Sequence, residues 1–347
     1  MKIWSDAEYT PNQGVDAGRN IVMSDSSVDG EVRVERLQAE VPAAHAGMRL
    51  DQSLVLLFPD FSRSRLQQWI KAGQVKVDGG QRRARDKVAG GEEVQLTATF
   101  EDQVPCRPEA IALDIVYQDD SLLVINKPAG RVVHPAAGNP SGTLQNALLH
   151  FDPAAAELPR AGIVHRLDKE TSGLMVVART PAVHKSLVEK IQARSVKREY
   201  RAVVVGVMTA GGTVDAPIGR HPVNRKRMAV APGGKPAVTH YRVMERYRHH
   251  TLLRVNLETG RTHQIRVHMA HIRYPLVGDP VYGGRLSLPA GASPALAERL
   301  RGFKRQALHA AVLALTHPET GEPLEWQAPL PDDMAALIDA LQEDAGA

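Results

Sequence analysis

The sequence predicts an α+β fold in two parts: a small N-terminal unit, then a larger domain built on a mixed, mainly antiparallel sheet. Three observations carry this. The 347 residues suggest about two domains. From about residue 112 onward, short strand-like runs follow one another with few helical patterns between them, which argues against a doubly wound parallel sheet. Ahead of them lies a separate local pattern of two helical stretches, short strands and Gly-rich turns.

In chain order, residues 1–40 are expected to form a flexible tail. To about residue 35 they mix Ser, Asp, Gly and Asn with no sustained apolar period, and residues 1–40 hold four Lys/Arg against eight Asp/Glu. Residues 41–100 form the small unit. Leu50, Leu54, Leu57 and Phe58 repeat at helical spacing, and a second helix opening at Phe61-Ser62 puts Leu66, Trp69 and Ile70 on one face. Val75-Lys76-Val77 runs into the turn Asp78-Gly79-Gly80, and Glu93 to Leu96 reads as a further strand. Ser62, Arg63, Ser64, Arg65 and Lys71 fall on the polar side of the second helix. Residues 101–111, with Pro105, Pro108 and acidic neighbours, read as a linker.

The large domain, residues 112–345, opens with antiparallel strand signals at Asp114–Tyr117 and Leu122–Ile125 around the turn Asp119-Asp120. Ile163-Val164 and Leu174–Ala178 read as short buried strands on either side of a polar insert. Further strands are expected at 200–207, 238–247, 251–257, 310–315 and 324–327. Helices are expected at 143–150, 181–194 and 334–341.

Composition narrows the function classes. A hydrophobic content of 43% suffices for a core, and no apolar run approaches the ~20 residues of a membrane helix. The first residues lack the basic start, apolar stretch and cleavage site of a secretion signal, so a cytoplasmic location is expected. Cys106 is the only cysteine, which excludes an intramolecular disulfide and a multi-Cys zinc site. The net charge of +4 is unevenly spread: residues 61–87 hold eight Lys/Arg against two Asp/Glu, and residues 185–227 hold ten against three. Clustered cations are the footprint of a phosphate backbone.

The chemistry-bearing stretch is Gly162 to Ala178, where His165-Arg166-Leu167-Asp168-Lys169-Glu170-Thr171-Ser172-Gly173 separates two apolar runs. A buried strand pair has no packing reason to carry an Asp between Arg and Lys, because a desolvated carboxylate is costly unless paired. Those nine residues resemble the catalytic signature of the RNA pseudouridine synthases related to the ribosomal large-subunit enzymes. Three other stretches resemble the same family in the same order: Asn126-Lys127-Pro128-Ala129-Gly130, Arg198-Glu199-Tyr200, and Gly260 to Met269. Residues 47–97 resemble the S4 RNA-binding module.

The resemblance implies an isomerase with an S4-like RNA-binding domain and a pseudouridine synthase catalytic domain on a large mixed, mainly antiparallel sheet. It makes Asp168 the nucleophile, Arg266 its cationic partner and Tyr200 the ring that stacks on the target base. Arg166 would fill the space left by the flipped nucleotide, with His165, Lys169, Asn126 and Lys127 completing the substrate-binding set. Ser62, Arg63, Ser64, Arg65 and Lys71 would hold RNA. The implied substrate is 23S ribosomal RNA, in the helix-69 hairpin, within a pre-ribosomal large subunit. Another rRNA site, tRNA, or a non-catalytic ribosome-assembly role are the alternatives. Isomerisation within one nucleotide exchanges no electrons or groups with another molecule, so no cofactor is expected, and a monomer with no membrane association is expected. His263, His268 and His271 could be read as a metal cluster. The spacing of five between the first two does not stack them on one helical face, so structural histidines or phosphate contacts are expected instead.

Overall fold

The computed structural model describes residues 32–59, 61, 63–101, 106–136, 138–224 and 227–346. Two compact units divide between Pro105 and Cys106.

In the first unit the elements are β1 (Val32–Glu40), α1 (Leu50–Leu57), α2 (Arg63–Lys71), β2 (Val75–Val77) and β3 (Glu93–Glu101). The strands form an antiparallel sheet in the order β1-β3-β2. Leu50 and Leu54 of α1 and Leu66, Trp69 and Ile70 of α2 bury their faces against Val75, Val77, Val94 and Leu96. One sequence expectation fails here. Val32–Glu40, assigned to the tail, pairs along its length with β3, from Val32↔Glu101 to Glu40↔Glu93. Leu37 and Ala39 pack on the core while the residues between them face out, a period of two that the charged residues disguise. The rest of the expected tail lies outside the described residues.

The second unit begins with β4 (Ile115–Gln118), β5 (Leu122–Lys127), α3 (Leu144–Phe151), β6 (Ser172–Ala178), α4 (Pro181–Gln192) and β7 (Lys197–Val205). Three short strands follow, β8 (Gly212–Asp215), β9 (Ile218–Arg220) and β10 (Met228–Val230), then β11 (Val238–Arg246) and β12 (His250–Leu257). The chain ends with α5 (Gln264–His271), α6 (Pro294–Gly302), β13 (Leu308–Thr316), β14 (Pro323–Gln327) and α7 (Asp332–Gly346). Among the described residues nine strands form one sheet in the order β4-β5-β6-β13-β7-β12-β11-β8, with β14 on β13. β9 and β10 form a separate hairpin. The β6–β13 pair is parallel and the other strand pairs are antiparallel.

Helices cover both faces of the central strands. Val183 and Leu187 of α4 pack on Val124, Leu174, Val176 and Leu313. Leu144 and Leu148 of α3 pack on Leu123, Ile125, Met175 and Val177. Every residue of β6 is therefore buried, which is why Leu174–Ala178 reads as a continuous apolar run. Thr143 caps α3 with a capping box to Asn146, and Thr180 with Pro181 starts α4. Ile163-Val164 is not a strand: Ile163 makes a single bridge to Val177, and the chain then leaves for the polar loop. Gly173 sets the central pairing. At φ 117° its missing Cβ would sit 2.3 Å from the Ala310 carbonyl oxygen, so only Gly lets β13 approach in this register.

Candidate active site

Asp168 sits on the loop between Ile163 and β6, and three anchors hold that loop. Lys127, 1% exposed at the end of β5, donates from Nζ to the carbonyls of Pro128 at 2.8 Å, Arg131 at 2.9 Å and Lys169 at 3.0 Å. Arg305 donates to the Glu170 carbonyl, and Gln306 Nε2 to Thr171 Oγ1 at 3.0 Å. Within the loop, the Thr171 N–H donates to the Asp168 carbonyl. Burial pulls the Lys127 ammonium down to about 7, against the attraction of Glu170 and Asp168.

Arg266 comes from α5 and donates from Nη1 to Asp168 Oδ2 at 3.0 Å. Its Nε and Nη2 donate to Asp279 at 2.7 and 2.9 Å. Asp279 also accepts from the N–H groups of Val281 and Tyr282. Burial opposes the charge on both partners. The Asp279 and Asp168 carboxylates nevertheless hold the Arg266 guanidinium above its ordinary value, and the hydrogen bonds to Asp279 hold that carboxyl below its own. His263 precedes α5 in the left-handed conformation, at φ 57°. Its Nδ1 meets the Tyr282 hydroxyl at 2.8 Å, and its Nε2 lies 4.0 Å from Asp168 Oδ1. Burial lowers its proton affinity despite that carboxylate.

Asp168, Arg266, Tyr200 and Arg166 line one recess of about 60 Å³, together with Arg198, Leu257, Gly260, His263 and Leu308. Tyr200, on β7, is 5% exposed there. A groove of about 440 Å³ adjoins it and shares Arg166, Arg198, Gly260 and Arg261 with the recess. His134, Arg160, His165 and Arg194 line the groove as well. The arrangement offers a carboxylate held beside a fixed cation, an aromatic ring in the same recess, and a groove rich in arginine.

The expected substrate-binding set is only partly gathered here. Arg166 is exposed and faces both cavities. His165 reaches the groove, but its Nε2 accepts the Val176 N–H at 3.1 Å, and burial followed by the Arg198 charge pushes its pKa to about 3. It stays neutral and holds the loop to β6. Lys127, Asn126 and Lys169 line neither cavity. Lys127 is spent on carbonyls, and Asn126 donates to Asp114 at 2.9 Å. Lys169 is exposed and contributes its carbonyl to Lys127 and to the Gly130 N–H. Sequence reasoning missed Asp279, Arg198 and His263 as site residues. His263 was visible inside the Gly260–Met269 stretch and Arg198 inside Arg198-Glu199-Tyr200, whereas nothing local marks Asp279.

The histidines do not assemble a metal site. His268 is buried between the Thr239 hydroxyl and the Ala216 carbonyl, and His263 is tied to Tyr282. Among the described residues no three His, Cys, Asp or Glu side chains are placed to hold a metal. Cys106 is half-buried, and burial pushes its thiol up, away from the reactive thiolate.

The family follows from sequence comparison across the same residues. A family model described as RNA pseudouridylate synthase matches residues 121–271, and the S4 domain model matches residues 48–94. A ribosomal large subunit pseudouridine synthase D from Xanthomonas campestris pv. campestris is 57% identical over 326 residues, 93% of this chain and 97% of that protein. The chain belongs to the RNA pseudouridylate synthase family. The protein of the same name from Escherichia coli O6:H1 is 58% identical over 310 residues, 89% of this chain and 95% of that one. Among solved structures, human RNA pseudouridylate synthase domain containing 4 is similar at 28% identity and a TM-score of 0.53, covering 66% of this chain and 92% of that chain. As an RNA pseudouridylate synthase the chain is an isomerase, and the recess and groove lie within the stretch that its family model spans or directly on that stretch's sheet.

The S4 module has its own surface. Asp51 is fully buried; desolvation opposes its charge, yet hydrogen bonds from Arg49, Arg63 and Gln67 bring its pKa to about 2. Arg63 is thus committed to Asp51, at 2.8 Å, and is less available to RNA than its position on α2 implies. Arg65 lies over the Trp69 ring at 5.3 Å. Lys71, Lys76, Arg83, Arg85 and Lys87 are exposed, and Ser62 lies outside the described residues. Among the described residues no helix is long and apolar enough to cross a membrane.

Proposed function

We propose that this enzyme isomerises uridines of large-subunit ribosomal RNA to pseudouridine in the helix-69 hairpin, with Asp168 as nucleophile. The observation that carries the reading is the Asp168 carboxylate held at 3.0 Å by a cation, Arg266, that is itself fixed by a second carboxylate. A nucleophilic carboxylate must be aimed, and a guanidinium fixed by its own carboxylate aims this one. The target base leaves its stack and enters the recess, where stacking on Tyr200 offsets part of the few kcal/mol that extraction costs, at about 1–3 kcal/mol per base. The N1–C1′ bond breaks, the uracil turns in place and C5 bonds to C1′. N1 gains a proton and C5 loses one, so the nucleotide keeps its composition. Arg166, at the mouth of both cavities, takes the place of the departed base.

The exposed cations of the S4 module hold structured RNA, and the substrate is a pre-ribosomal large subunit met by a monomer in the cytoplasm. The near full-length similarity to proteins named ribosomal large subunit pseudouridine synthase D supports this choice of RNA. Mapping pseudouridines in rRNA from cells with and without this protein tests it. Loss of pseudouridine from helix 69 alone is expected, and an unchanged large-subunit map overturns the proposal.

A further inference from the structure

We infer that Arg198 binds a phosphate of the nucleotide whose base enters the recess, an inference that rests on the uridine-isomerase reading above. Among the described residues three arginines of the second unit are buried: Arg198, Arg266 and Arg305. Arg266 is paired with Asp168 and Asp279, and Arg305 with Asp333. Arg198 is 7% exposed, its Nε is buried without a hydrogen-bond partner, and no carboxylate of the described residues pairs with it. Its chain neighbour Glu199 points to the other face of β7 and is taken by Arg201 and Arg254. The groove's own acid, Glu258, is taken by Arg194 and His240. A desolvated cation with no protein partner is costly, so an anion that arrives there finds its desolvation already met.

Position identifies the anion. Arg198 lies two residues before Tyr200 on the same strand face, and it lines both the recess and the groove. A base stacked in the recess places the phosphate of its own nucleotide where recess and groove meet. The groove's other arginines, Arg160, Arg166, Arg194 and Arg261, then follow the flanking backbone. A guanidinium offers a two-pronged grip on phosphate oxygens. Gly260 leaves it room, since a Cβ at that position would stand 3.1 Å from Arg198 Nη1.

The test uses an RNA that the wild-type enzyme modifies, with the linkage on the 5′ or the 3′ side of the target uridine replaced by an uncharged methylphosphonate. Each such RNA carries a 2′-O-methyl on the ribose preceding the altered linkage and is compared with its phosphodiester counterpart bearing the same sugar. Neutralising one of the two linkages should raise the KM of the wild-type enzyme by roughly tenfold or more. Arg198→Met should show that rise on the ordinary RNA and no further rise on the neutralised one, and Arg198→Lys should recover part of the loss. The thermal midpoint of Arg198→Met should not fall, because no protein group loses a partner. Independent, multiplying effects of variant and linkage overturn the inference and place Arg198 against the base. A lowered midpoint overturns it by showing a structural ion pair. If the wild-type enzyme modifies no RNA, the reading of the function itself falls.

Discussion

Asp279 occupies Nε and Nη2 of Arg266 and leaves Nη1 for Asp168. The buried carboxylate thereby fixes which edge of the guanidinium faces Asp168. Arg266→Met should destabilise the fold by about 3–5 kcal/mol, because it strands Asp279 as a buried charge. Adding Asp279→Asn, which can still accept the Val281 and Tyr282 N–H groups, should cost less than the sum of the single changes. Urea unfolding of the four proteins measures this, and strict additivity would show that the pair is not coupled.

Asp168→Asn should abolish pseudouridine formation while RNA affinity stays within a few-fold, since phosphate contacts supply most of the affinity. The side chain keeps its size, and Arg266 keeps Asp279. Turnover assays and filter binding on the same RNA separate the two effects. Substantial residual turnover removes Asp168 from its role.

For Tyr200 the ring should matter more than the hydroxyl. Tyr200→Phe is expected to hold kcat/KM within a few-fold, while Tyr200→Leu loses roughly 5- to 150-fold, the equivalent of about 1–3 kcal/mol of stacking. Equal losses in the two variants would point to the hydroxyl instead.

Acid should weaken the fold through its buried histidines. His250 is 3% exposed with an unpartnered Nδ1, and burial brings its pKa to about 4. The ordinary value is about 6.5, so the unfolded chain binds this proton first. Stability from His250 is complete above pH 6.5 and is lost as the pH falls toward 4, by on the order of 2–3 kcal/mol. His165 and His309 act in the same direction. Denaturation between pH 7 and 4.5 should show a falling unfolding free energy and a shallower fall for His250→Leu. Parallel curves for the two proteins would refute the assignment.

The sequence made some of this legible and hid the rest for physical reasons. Asp168, Tyr200 and Arg266 lie inside contiguous motifs, so reading along the chain found them. Lys127 was legible as a motif residue but not as a scaffold, because its partners are backbone carbonyls that carry no side-chain signature. Asp279 is recognisable only from the fold that brings it to Arg266. The helix α5 went unread because Gln264 to Met269 are all buried, which erases the period that marks an amphipathic helix. The strands β8 to β10 run three or four residues each, too short for alternation to show.

The parallel pair of β6 and β13 joins Ser172 and Gly173 to His309 and Ala310. A ribosome delivers the chain from its N-terminus, so the loop carrying Asp168 emerges long before the strand that completes its support. Asp168, Tyr200 and Arg266 can all be outside the exit tunnel while β6, already beside β5, still lacks β13. Contacts this distant in sequence close slowly. A nascent chain stalled before Leu308 should therefore fail to modify RNA even though it holds every residue assigned to the chemistry. The enzyme becomes competent only once β13 has been made and paired with β6.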